Sequence, residues 1–149
     1  MPKYTTTVKS PWTAQRAFEY LSDLSHFVDW DPGVTRAVQV IGMGPGPDAA
    51  FDVTVKSVSS NMTLRYKTVV FEPNRRIEVL AESTSLRSYD VMTFEEIVGG
   101  GCEVTYSAEL DLRGVRAVAN PLLSLLFKGI GDRAAQGLRR VLNDPETHL

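Results

Sequence analysis

The chain has 149 residues, 43% of them apolar and 23% charged, with a formal net charge of −2. That length suits one domain with a core, or with a core that encloses a cavity, and a weakly acidic balance with no basic block argues against nucleic-acid binding through phosphate neutralisation. One cysteine, Cys102, leaves no internal disulfide, and two histidines, His26 and His148, without a cluster of ligand types argue against a metal site or other dedicated cofactor. The first residues, MPKYTTTVKSPW, contain no apolar core of a signal peptide, and no apolar run approaches the ~18 residues that span a bilayer. The expectation is a cytoplasmic protein without stable membrane insertion.

Lys3 to Lys9 is rich in β-branched residues and reads as a strand. Ser10 and Pro11 suit the cap and first turn of a helix, and Ala14, Ala17, Phe18 and Leu21 then share one helical face. Leu24 to Trp30 reads as a second short helix, ended by Asp31-Pro32-Gly33. Val34 to Ile41 returns to strand. The glycines of the GMGPGP stretch that follows lie between two strands, so they mark a hairpin loop and not a phosphate-binding turn.

Period-2 alternation then dominates. Phe51, Val53 and Val55 form one apolar face; Met62, Leu64 and Tyr66 form another; Ile77, Val79 and Ala81 a third. Asp90, Met92 and Phe94 share a parity between Leu86 and Val98. Cys102, Val104, Tyr106, Ala108, Leu110 and Leu112 alternate with polar residues, giving one wet and one dry face. Short turns between these strands predict an antiparallel meander. The chain closes on Arg116 to Leu142, where Val118, Leu122, Leu125, Leu126, Ile130, Ala134, Leu138 and Val141 recur at helical spacing. Such a helix is ~40 Å long and needs a surface to lie on, which the dry face of the sheet supplies.

This order of elements resembles the helix-grip fold of the START/Bet v 1-like (SRPBCC) superfamily, and within it the polyketide cyclase/dehydrase-like lipid-binding proteins. The resemblance is carried by VKSPWTAQRAFEYLSDLSHFVDWDPGV, FEPNRRIEV and YDVMTFEEIVGGGCEVTYSAELDLRG, and it covers residues 1–149 as a single domain. It implies an α+β fold, with a curved seven-stranded antiparallel sheet wrapped around the C-terminal helix and two short helices after the first strand. It also implies a deep apolar cavity between sheet and helix, which takes lipids, sterols, polyketides or hormones.

Given that cavity, its candidate lining is Phe51, Val53, Leu64, Tyr66, Val79, Met92, Phe94, Val104 and Tyr106 from the sheet, with Val55 and Ala108 beside them, and Leu122, Leu126 and Ile130 from the helix. The plainer reading of each is core packing. By the same resemblance, Trp30 closes the cavity near the short helices; otherwise it is a hydrophobic anchor. Asp90 shares the inward parity of Met92 and Phe94. An inward carboxyl is costly unless paired or raised in pKa, so it is a candidate acid or base. Its alternative is a partly wet position at a strand end, or a bond to backbone. Tyr66 and Tyr106 offer hydroxyls that can orient a ligand carbonyl, or simply pack.

No nucleophile–base pair or paired carboxylates stand at a meaningful spacing. The leading function is therefore a carrier or sensor of a small hydrophobic molecule. The alternatives are a polyketide aromatase/cyclase or dehydratase working through Asp90, Tyr66, Tyr106 and His26, and a protein-interaction domain. Leu123 and Phe127 fall off the main helical stripe, which leaves a homodimer contact open. Gly129, Gly131 and Gly137 make the helix slim, allowing either close approach or a shift that admits ligand.

Overall fold

The computed structural model describes residues 3–56, 61–112 and 121–144, with backbone alone at 121–126. The order is β1 (Lys3–Ser10), α1 (Ala14–Ser22), a 3-10 turn (Leu24–His26), α2 (Phe27–Trp30), β2 (Val34–Ile41), β3 (Ala50–Val55), β4 (Met62–Glu72), β5 (Arg76–Glu82), β6 (Leu86–Glu96), β7 (Cys102–Leu112) and α3 (Pro121–Leu142). Residues 116–120 of the expected long helix lie outside the described residues.

The strands form one antiparallel sheet in the order β1-β7-β6-β5-β4-β3-β2. From β2 to β7 each strand pairs with its successor, and β1 returns to the far edge beside β7. The inner face carries Val8, Phe51, Val53, Leu64, Val79, Met92, Phe94 and Val104, all buried. The outer face holds polar pairs such as Arg65 with Asp52 at 2.8 Å and the hydroxyls of Thr54 and Thr63 at 2.9 Å. Register breaks interrupt β2 against β3 and β4 against β5. An extra residue on one strand bends it and increases its twist.

Two expected features are corrected. Helix α1 is capped by Thr13, whose hydroxyl accepts from the Arg16 N–H at 3.1 Å. Ser10 instead donates to the Leu142 carbonyl at 2.5 Å and accepts from the Trp12 N–H, so it ties the end of β1 to the end of α3. Ile130 is 46% exposed and does not face the sheet. The buried stripe of α3 runs through Gly131, Ala134, Ala135, Leu138, Val141 and Leu142. Leu138, Val141 and Leu142 are the large apolar anchors of that stripe, and Ile130 lies at its edge.

The small residues of α3 serve close approach. A Cβ on Gly137 would lie 1.8 Å from the Trp30 carbonyl oxygen, and one on Gly131 would lie 2.5 Å from the Tyr4 ring. At Gly129 the nearest neighbour would be the Arg133 guanidinium, 3.9 Å away. Gly137→Ala is therefore expected to destabilise the fold by about 2 kcal/mol or more through overpacking against backbone. Gly129→Ala should stabilise it by up to about 1 kcal/mol, since only helix propensity changes. Urea unfolding of the two variants beside the wild type checks the opposite signs.

Candidate functional site

Asp90 sits in the middle of β6, paired with Val79 on one side and Ala108 on the other. It is 4% exposed. Alternation along β6 puts it on the dry face between Ser88 and Met92. Tyr106, opposite Met92 on β7, reaches diagonally back across the strands. Its hydroxyl donates to Asp90 Oδ2 at 3.1 Å. In the neighbouring row Tyr66 pairs its hydroxyl with that of Ser88 at 2.8 Å. Asp90 is thus neither wet nor bonded to backbone; its partner is a buried phenol.

The inner face here meets the short helices. A small cavity is lined by Leu21, Asp23, Leu24, Phe27 and Trp30 on one side, and by Ile77, Val79, Asp90 and Met92 on the other. Its volume is about 10 Å³, room for about one water molecule. The aromatic wall is continuous: Phe27 stacks on Trp30 with centroids 4.6 Å apart, and Trp30 meets Tyr106 edge-on at 5.4 Å. Phe27 and Trp30 stand three residues apart in sequence, which sets them side by side on one turn.

Burial dominates the electrostatics. It pushes the Asp90 carboxyl up to about 7, the Tyr106 hydrogen bond opposes the rise, and the nearby Asp31 charge adds to it. Asp31 is itself raised by burial, against the pull of its bond from the Gly33 N–H at 2.9 Å and of the Arg133 charge. Tyr66 and Tyr106 are both driven upward by burial first and by Asp90 next. They remain neutral hydrogen-bonding groups across the ordinary pH range. Asp90 can therefore exchange a proton near neutrality, with a neutral phenol held against it.

Of the sequence candidates, Trp30, Val79, Asp90 and Met92 line this cavity. Tyr106 and Tyr66 stand behind it, holding Asp90 and Ser88. Phe51, Val53, Leu64, Phe94 and Val104 are buried in the core away from its wall; Phe94 packs on Phe18 at 5.3 Å. Leu122 and Leu126 belong to the first turns of α3, whose side chains lie outside the described residues, and Ile130 is exposed. His26 is turned away: its Nδ1 donates to the Tyr20 carbonyl at 2.7 Å and its ring stacks on Tyr20.

Leu21, Asp23, Leu24, Phe27 and Ile77 are lining residues that sequence reasoning did not select. The apolar face of α1 carried the signal for Leu21, since it ends at the sheet. A further unpredicted feature is Thr68, buried on the inner face in the cross-strand row of Val79 and Asp90. Its hydroxyl has no hydrogen-bond partner among the described residues.

A family model described as "Polyketide cyclase / dehydrase and lipid transport" matches residues 1–143. The chain belongs to that family. Among solved structures it is similar to a START superfamily protein from Mycobacterium smegmatis, with 11% identity, a TM-score of 0.76, and 94% of this chain and 96% of that one covered. It is similar to a protein from Thermus thermophilus, with 14% identity, a TM-score of 0.73, and coverage of 93% and 95%. It is also similar to the Zhui aromatase/cyclase from Streptomyces sp. R1128, with 12% identity, a TM-score of 0.71, and coverage of 93% and 88%. No curated protein matches it in sequence. The fold is thus the START-like, ligand-binding helix-grip fold, and no described helix is long and apolar enough to cross a membrane.

Asp90 gives a signed pH prediction. Its carboxyl is raised from 3.8 to about 7 on folding. Below the unfolded value the proton is bound in both states and nothing is lost. As pH rises from about 4 to 7 only the folded state keeps the proton, so stability falls, and the full penalty stands above 7. Three units correspond to up to about 4 kcal/mol. Asp90→Asn should therefore stabilise the protein more at pH 8 than at pH 4.5, by about 2–3 kcal/mol of difference. Paired chemical-denaturation curves of wild type and variant check it, because the titrations of groups not coupled to Asp90 cancel in the comparison.

Proposed function

We propose that the chain binds a small hydrophobic molecule, as carrier or sensor, between the β5–β6 face of the sheet and the α1–α2 segment. The observation that carries this reading is a carboxyl buried at a cavity walled by Phe27 and Trp30, with no cation beside it among the described residues. Such a group is costly in a pure core and is retained where it meets something else. The family to which the chain belongs supports a ligand of this class. The space described is small, whereas a pocket for a lipid-sized ligand has roughly 300 Å³ or more. Binding must therefore widen it, with Leu21, Leu24 and Phe27 moving off Ile77, Val79 and Met92.

The same groups support a second reading, an aromatase/cyclase, as the Streptomyces neighbour is named, or a dehydratase. A carboxyl that titrates near 7 is matched to proton transfer at neutral pH, and the Tyr106 and Tyr66 hydroxyls can hold a ketone in place. In that case Asp90→Asn should lower turnover of a poly-β-ketone mimic at least 100-fold while leaving its affinity within about threefold. Equal turnover by the variant removes the catalytic reading and leaves binding untouched.

For binding itself, N-phenyl-1-naphthylamine serves as a neutral fluorescent probe. The wild type should bind it with a micromolar Kd and transfer energy from Trp30. Val79→Phe, which fills the void, should weaken it at least tenfold while circular dichroism stays unchanged. Absence of probe binding, together with absence of any retained molecule in native mass spectrometry after exposure to a lipid extract, would remove the proposal.

A further inference from the structure

The chemistry of the lining is one-sided. Two carboxyls, Asp23 and Asp90, line the cavity, a third, Asp31, acts on Asp90 through space, and no lysine, arginine or histidine is among its described lining residues. Arg133, the cation that acts on Asp31, is on α3. The two lining carboxyls differ in burial: Asp23 is half-buried and Asp90 is buried. Asp23 Oδ1 already accepts from both the Ser25 N–H at 3.0 Å and the Ser25 hydroxyl at 2.6 Å, closing the turn before α2. Asp90 Oδ2 accepts from Tyr106, but no protein donor reaches Oδ1 among the described residues. On a side chain that is only 4% exposed and lines a cavity, this oxygen in the ionised carboxylate is an acceptor without a donor among the described residues.

Resting on that binding reading, we infer that the cavity selects ligands whose polar end donates a hydrogen bond to Asp90 Oδ1, an alcohol, a phenol or an ammonium, and refuses carboxylates and other anions. The physical grounds are additive. An ammonium or hydroxyl supplies the missing proton to Oδ1. An anion would be desolvated beside carboxyls with no counter-charge within the lining, a repulsive element that discriminates by itself. The apolar part of the ligand then lies against Leu21, Leu24, Ile77 and Val79.

A matched set isolates the head group: 2-naphthalenemethanol, 2-naphthylmethylamine and 2-naphthoate, each used to displace N-phenyl-1-naphthylamine at pH 8. The amine and the alcohol should each bind at least tenfold more tightly than the carboxylate. Asp90→Asn should shrink the gap between amine and carboxylate by tenfold or more, whereas Asp52→Asn, on the outer face of the sheet, should leave the gap unchanged. A carboxylate that binds as well as the amine overturns the selectivity while the binding reading stands. An unchanged gap in Asp90→Asn overturns the role given to Asp90. Failure of the probe and all three compounds to bind overturns both readings together.

Discussion

The contact on which the rest of this structure depends is the meeting of α2 and α3, where the Trp30 carbonyl lies against the bare backbone of Gly137. No side chain intervenes, so the two helices approach as closely as backbone allows. Arg140 reinforces the junction from the same helix by donating to the Asp29 carbonyl at 2.8 Å. Farther along α3, Gly131 receives the Tyr4 ring, whose hydroxyl donates to Asp132 at 2.7 Å, and the last turn accepts the Ser10 hydroxyl. One helix thereby holds both the edge strand β1 and the short-helix segment. With Trp30 fixed, Phe27 and the 3-10 turn are carried over β5 and β6, and the dry face of the sheet is covered there.

That covering makes Asp90 unusual. On an open sheet the same residue would be an ordinary wet carboxylate. Under Trp30 and Phe27 it is cut off from water, its affinity for the proton rises, and the protein carries a cost above neutral pH that a hydrophobic residue would not incur. Tyr106 recovers part of this through its hydrogen bond, but it brings no charge. The inner face thus holds a local conflict between burial and ionisation, of the kind that proteins keep where a site needs it.

Much of this was legible in the chain. Strict alternation gave the strands and their dry faces, and it pointed Asp90, Tyr66 and Tyr106 inward, because parity depends only on sequence. Element order together with the family resemblance gave the helix-grip fold. What stayed hidden depends on register and on packing across long separations. Tyr106 meets Asp90 only because β6 pairs with β7 in the register that sets Met92 opposite Tyr106. The cavity expected against α3 is lined, among the described residues, by the short helices, since the width of the space is fixed by how close Gly137 lets them come. Ile130 has the right spacing for the apolar stripe, but spacing alone does not say which edge of the stripe the sheet will touch. Ser10 and Thr13 are both sound cap residues, and the choice between them was made by Leu142, more than a hundred residues away.

The glycines of α3 allow two opposite readings, a helix that slides or a helix that is clamped, and the contacts decide between them. Gly131 and Gly137 are wedged against a ring and a carbonyl, and a shift of even ~1 Å would drive backbone into atoms already touching, which close-packed interiors resist. The C-terminal half of α3 is therefore the anchor. Any widening of the cavity has to come from its other wall. There Leu21, Leu24 and Phe27 are held by apolar contact and by local bonds such as Asp23 with Ser25 and His26 with the Tyr20 carbonyl. Those bonds lie within the segment and can travel with it. Helix α1 itself is tied to β6, by Phe18 packed on Phe94 at 5.3 Å and by the Ala14 N–H donating to Glu96 Oε1 at 3.2 Å, so the widening falls to the stretch from Leu21 to Phe27, between that tie and the carbonyl of Trp30.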